Sequence, residues 1–128
     1  MHRVLVVDDD PAVLSCYGRL LRREGYEVET APGGQTALAR LAGESAFDVV
    51  IIDYKMPGMD GMEFLTRMRS QGQTPEVILI SAWATEEVRA RARCMGVRRF
   101  LDKPIDVEKL RSAIRAALPR ARTTGAGL

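Results

Sequence analysis

The most constraining stretch of this chain is Val49-Val50-Ile51-Ile52-Asp53-Tyr54-Lys55-Met56-Pro57-Gly58-Met59-Asp60-Gly61. Four β-branched residues in succession leave no polar face, so they read as a strand buried on both sides, the habit of parallel sheets. The run ends on Asp53, and Met56-Pro57-Gly58 intervenes before a helix can start. Open α/β sheets gather their ligands at the carboxyl ends of central strands, which is where this carboxylate falls. An ionised Asp at such a place is costly unless a cation meets it. Taken alone, Asp53 reads equally well as a turn residue ahead of Pro-Gly.

The rest of the chain repeats the strand–helix alternation. Arg3–Val7 is a short apolar strand that stops at Asp8-Asp9-Asp10, and Pro11 suits the first turn of a helix capped by Asp10. Val13, Tyr17, Leu20, Leu21 and Glu24 space out as one helical face closed by Gly25. Glu27–Ala31 alternates as a second strand, and Ala37, Leu38 and Leu41 mark a short second helix. Asp60 and Glu63 have the spacing of a capping box for a third helix with Phe64, Leu65 and Met68 inward. Glu76–Ser81 is another doubly buried run, and a helix from about Thr85 to Met95 follows. Arg99–Asp102 is a fifth strand, and Asp106 caps a last helix carrying Val107, Leu110, Ile114, Ala117 and Leu118. Strands alternating with helices call for a parallel sheet covered on both faces. One domain over residues 1–118 is expected, with 119–128 a flexible tail or the start of a linker.

Composition narrows the function. The 128 residues suit one domain, and a formal charge of +2 does not by itself imply nucleic acid or membrane binding. No apolar run approaches the ~18 residues of a membrane span, and Met1-His2-Arg3 lacks a signal-peptide design, so a cytoplasmic protein is expected. The single histidine argues against a zinc site or a His-based triad. Cys16 and Cys94 stand far apart and are expected as free buried thiols. Arg89, Arg91, Arg93, Arg98, Arg99, Arg111, Arg115, Arg120 and Arg122 suggest a basic surface, solvated or facing an acidic protein rather than DNA. Met56, Met59, Met62 and Met68 read as packing residues.

Chemistry converges at the strand ends. The first, third, fourth and fifth strands run out into Asp8-Asp9, Asp53, Ser81 and Lys103. Parallel strands bring those groups to one rim. Clustered carboxylates raise one another's pKa, and a hard divalent cation such as Mg²⁺ relieves the conflict in a site without His or Cys. Lys103 adds positive charge, and the Ser81 hydroxyl can meet an oxyanion. Such a pocket suits a phosphoryl group, with one carboxylate forming an acyl phosphate.

Val-Val-Asp-Asp-Asp-Pro at 6–11, Asp53 with Met-Pro-Gly-Met-Asp-Gly at 56–61, Ile-Ser-Ala at 80–82 and Lys-Pro at 103–104 together resemble the receiver domain of two-component response regulators, the family of the chemotaxis response regulator. The resemblance covers Arg3–Leu118. It implies a flavodoxin-like, doubly wound α/β fold with a five-stranded parallel sheet in the order 2-1-3-4-5. It further implies that Asp53 accepts phosphate from a sensor histidine kinase, with Mg²⁺ held by Asp9 directly, by Asp8 mainly through water, by Asp53 and by the Lys55 carbonyl. Lys103 takes the phosphate-pairing position, ahead of a cis bond to Pro104. Ser81 and Phe100 take the switch positions, while Lys55, Ala82 and Trp83 flank the site. The output surface would be helix four, strand five and helix five, through which a phosphorylation-dependent dimer or a downstream protein would engage, without direct nucleic acid or membrane binding. Such a domain is a signalling receiver that catalyses its own phosphorylation and dephosphorylation.

Two other classes remain to compare. Asp8-Asp9-Asp10 contains the Asp-x-Asp spacing of haloacid-dehalogenase-like phosphatases, but Ala12 stands where those enzymes usually carry Thr or Val, and no stretch could form a substrate cap. A receiver used only for protein interaction would not need all five site residues.

Overall fold

A computed structural model describes residues 2–43, 46–82 and 84–118, so Trp83 and the tail 119–128 lie outside the described residues. Five strands and five helices alternate: β1 Arg3–Val7, α1 Pro11–Arg23, β2 Glu27–Ala31, α2 Gly34–Leu41, β3 Val49–Asp53, α3 Gly61–Ser70, β4 Glu76–Ser81, α4 Glu86–Cys94, β5 Arg99–Asp102 and α5 Val107–Ala117. The strands pair in parallel in the order β2-β1-β3-β4-β5. The expected fold and strand order are both present.

Side-chain alternation along the strands divides the interior in two. Leu5, Val7, Val50, Ile52, Val77 and Leu79 face α2, α3 and α4, where Leu38, Phe64, Leu65, Met68 and Ala92 meet them. Val4, Val6, Val49, Ile51, Ile78 and Ile80 face α1 and α5, against Leu21, Leu110 and Ile114. No β3 residue from Val49 to Ile52 is more than 1% exposed. Each such side chain contributes roughly 1.5–3 kcal/mol relative to an exposed one, so β3 is the element least free to shift register. Asp53 is therefore fixed by the four apolar residues before it.

The helix starts are fixed locally. Asp10 accepts from the Ala12 N–H, Asp60 from Glu63, Thr85 from Val88, and Asp106 from Glu108 and Lys109. Such caps contribute about 1 kcal/mol each. Only half of the expected capping box forms at α3. The Glu63 carboxylate bonds Arg67 at 2.9 Å, an i,i+4 pair on the outer face, instead of returning to the cap. Glu24 is the C-cap of α1 and pairs with Arg111 at 2.9 Å, so it does not belong to the inward face.

The cysteines depart from expectation. Cys16 and Cys94 are both exposed. Cys16 shares the outward arc of α1 with Arg19 and Arg23, while Leu21 one helical phase away is buried. Cys94 lies opposite buried Ala92, beside Arg91 in a groove between α3 and α4. Apolar character alone did not set their facing; helical phase did. The methionines Met56, Met59, Met62 and Met68 are buried packing residues, as expected.

Candidate acidic site at the strand ends

The site begins where β1 and β3 end side by side. Val7 pairs with Ile52, so Asp8 and Asp53 follow on adjacent strands at the same level. Asp8 is 3% exposed and Asp53 5%, which is unusual for carboxylates. The Asp8 N–H donates to the Ala31 carbonyl at 3.1 Å, and its Oδ1 accepts the Asp10 N–H at 2.9 Å. That second bond turns the chain into α1 and fixes the Asp8 carboxylate. Asp9 is exposed, yet one oxygen from each of Asp8, Asp9 and Asp53 fits within 4.8 Å of the others.

Asp53 is held from two sides. The Lys103 ammonium donates to Oδ2 at 2.6 Å, and the Lys55 N–H donates to Oδ1 at 3.3 Å. Lys103 also stands 3.8 Å from Asp8 Oδ2. Its backbone N–H donates to the Ser81 carbonyl at 3.1 Å, which ties the loop after β5 to the end of β4. The Lys103–Pro104 peptide is cis. Ser81 is 3% exposed and is the last residue of β4, in register with Asp102. Lys55 and Ala82 are exposed at the rim.

The loop after β3 leaves little slack. Tyr54 donates to the Ile80 carbonyl at 2.8 Å, and Gly61 donates to the Tyr54 carbonyl at 2.7 Å. A Cβ on Gly61 would stand 3.0 Å from Tyr54 Cα and 3.3 Å from the Asp53 carbonyl, so only glycine lets α3 start this close to β3.

Electrostatics follow from this crowding. Burial pushes the Asp8 carboxyl above its usual range; the Asp10 N–H and Lys103 oppose the shift, while the Asp53 and Asp9 charges add to it. Burial pulls Lys103 down, but the Asp53 hydrogen bond and the charges of Asp53, Asp8 and Asp9 outweigh it, so the net shift is upward. Tyr17 on α1 is pushed up to about 12, first by burial and then by the charges of Asp8, Cys16 and Asp53. Helical spacing predicts Tyr17 on the inward face of α1, but not beside the acidic site.

The structure thus brings together Asp8, Asp9, Asp53 and Lys103, with Ser81 joined through its backbone. Phe100 lies on β5, half-buried beside the α2–α4 core, under Arg89 and Arg93 of α4. The oxygen-only donor set of three carboxylates, with no His or Cys among them, fits a hard cation such as Mg²⁺ and not a soft one. Part of the arginine-rich surface is paired within the domain: Arg89 with Asp102, Arg93 with Glu86, and Arg98 and Arg99 with Glu76.

The family model described as response regulator receiver domain matches residues 4–115. The chain belongs to this family. The receiver domain is 34% identical over 125 residues to the transcriptional regulatory protein ZraR of Salmonella typhimurium, covering 98% of this chain and 28% of ZraR. It is 31% identical to sporulation initiation phosphotransferase F of Bacillus subtilis, covering 92% of this chain and 94% of that protein. Among solved structures, the Vibrio cholerae chemotaxis protein CheY4 superposes with a TM-score of 0.86 at 33% identity, over 92% of this chain and 99% of that one. The matched part is therefore a little over a quarter of ZraR but nearly all of the Bacillus protein. Among the described residues, no helix is long and apolar enough to cross a membrane.

Proposed function

We propose that this receiver domain accepts a phosphoryl group on Asp53 from the phosphohistidine of a sensor histidine kinase. The observation that carries the reading is the 2.6 Å contact of Lys103 with Asp53 beside the Asp8 and Asp9 carboxylates. A buried nucleophile, a fixed cation and a hard-metal donor set are what phosphoryl transfer to a carboxylate requires. Asp8, Asp9, Asp53 and the Lys55 carbonyl would hold Mg²⁺, which when bound supplies positive charge to phosphoryl oxygens. An Asp53 oxygen attacks phosphorus as the bond from phosphorus to the imidazole nitrogen breaks, and the imidazole leaves after taking a proton from solvent. Lys103 releases part of its hold on Asp53 to pair with a phosphoryl oxygen, and the Ser81 hydroxyl donates to another.

Movement of Ser81 toward the phosphoryl group opens space into which Phe100 turns, and the α4–β5–α5 surface changes with it. That surface is the proposed output face, for a second copy or a downstream protein in the cytoplasm. Residues 1–118 form the signalling unit. Autophosphorylation and self-dephosphorylation belong to the same site.

Acetyl phosphate with Mg²⁺ tests this directly. The expected result is a hydroxylamine-sensitive phosphoryl adduct by intact-protein mass spectrometry, lost in Asp53→Asn and greatly slowed in Lys103→Ala. An adduct that persists in Asp53→Asn would refute the assignment.

A further inference from the structure

We propose that Arg89 and Arg93 tether the Phe100 ring in the resting domain and so set how much phosphoryl occupancy at Asp53 is needed to switch it. This rests on the reading of Phe100 as the switch aromatic.

Phe100 and Asp102 lie two residues apart on β5 and point to the same face, toward α4. There the Arg89 and Arg93 guanidinium carbons stand 5.5 Å and 5.3 Å from the Phe100 ring centroid. Both distances lie within the reach of a cation–π contact. Each guanidinium also has a carboxylate partner. Arg89 is bonded to Asp102 at 2.8 Å, and Arg93 to Glu86 at 3.0 Å. The ring therefore rests against cations whose carboxylate partners are exposed, Asp102 at 74% and Glu86 at 80%, so each ion pair contributes little. Arg89 is only 26% exposed, which limits the screening of its charge by water.

An inward turn of Phe100 carries the ring away from both guanidinium groups, which belong to α4. The turn thus forfeits both contacts at once. A Phe has no hydroxyl with which to recover a polar contact in either state. Removing both cations shifts the resting ring equilibrium toward the inward state by about fivefold to thirtyfold, taking two exposed-site contacts together. A phosphoryl mimic at Asp53 then has less to overcome, and its apparent affinity rises by a matching factor.

The test titrates the domain with beryllofluoride and Mg²⁺, following the fluorine resonance of para-fluorophenylalanine placed at position 100. The expected result is half-saturation at a beryllofluoride concentration about fivefold to thirtyfold lower in R89Q/R93Q. R89K/R93K, which keeps cations near the ring, stays closer to the parent. Asp102→Asn, which removes the ion pair and leaves Arg89 beside the ring, also stays close to the parent. An unchanged affinity in R89Q/R93Q, while the ring signal still responds to the mimic, overturns the tether and leaves the switch reading intact. The whole gain appearing in Asp102→Asn alone overturns it in favour of the ion pair. A ring signal that ignores beryllofluoride in the parent, although the mimic binds, sinks the switch reading and the tether with it.

Discussion

Lys103 Nζ meets Asp53 Oδ2 at 2.6 Å across 50 positions of sequence. The contact joins the loop after the edge strand β5 to the end of the central strand β3, and it is the shortest route by which positive charge reaches the buried acids. A hydrogen bond to a charged group contributes about 1.5–3 kcal/mol, and partial exposure of Lys103 places this one toward the lower end. We expect a coupling of that size in a double-mutant cycle of Asp53→Asn and Lys103→Met, measured by urea denaturation in metal-free buffer. A coupling near zero would mean that the pair orients Asp53 without stabilising the fold.

Asp8 should weaken the metal-free domain at neutral pH. Its carboxyl is shifted upward from 3.8, chiefly by burial, so the folded state holds that proton more tightly than the unfolded chain does. The associated stability is complete below the unfolded value and is lost as pH rises through the higher folded one. Asp8→Asn keeps an oxygen for the Asp10 N–H and removes the charge. Denaturation midpoints between acid and neutral pH should therefore rise and flatten in this variant. Mg²⁺ should stabilise the parent more than Asp8→Asn, and equal stabilisation of both would count against Asp8 as a metal contact.

Tyr17 supplies an alkaline counterpart. Its phenol is pushed from 10.0 to about 12, so the folded state again binds the proton more tightly. Stability from this group is intact below about 10 and falls as pH rises toward about 12. Near-ultraviolet titration should show a tyrosine step displaced toward about 12, and Tyr17→Phe should abolish that step. Loss of an earlier step instead would place Tyr17 in ordinary solvent.

Gly61→Ala should harm both stability and the site. Its new methyl group would meet Tyr54 Cα at 3.0 Å and Leu79 Cδ1 at 3.2 Å, and the first of these is backbone. Overpacking of this kind costs about 1–3 kcal/mol, and here the displaced atoms belong to the segment carrying Asp53. Thermal denaturation should show the loss, and Mg²⁺ affinity should fall with it. Gly34→Ala is the control: there the obstacle is the flexible Met59 side chain, so Mg²⁺ affinity should survive.

Much of this molecule could be read before any coordinates. The runs Val49–Ile52 and Val77–Ile80 disclosed the parallel sheet because strands buried on both faces permit no polar alternation. Asp8, Asp53 and Lys103 then had to meet, since parallel strands share a rim. What stayed hidden depended on rotation and long-range register. The facing of Cys16 turns on about one helical position, and composition cannot supply that. The pairing of Arg98 and Arg99 with Glu76 requires β5 to lie beside β4, so part of a basic run of sequence is offset by one shared carboxylate. The stacking of Arg89 and Arg93 on Phe100 needed the placement of α4 over β5 as well. Arginines spaced i,i+4 ahead of a strand aromatic were visible, but their target was not.

The order in which the rim is assembled bears on biosynthesis. Asp8 follows the earliest of the five strands to be synthesised, whereas Lys103 follows the latest of them, and its backbone is anchored to Ser81 of β4. A nascent chain that has emerged only through β4 already carries the acids without the lysine that pairs with Asp53. Completion of the acidic pocket therefore coincides with the docking of the final edge strand. A chain cut short before Lys103 lacks the cation that pairs with Asp53 and stands beside Asp8.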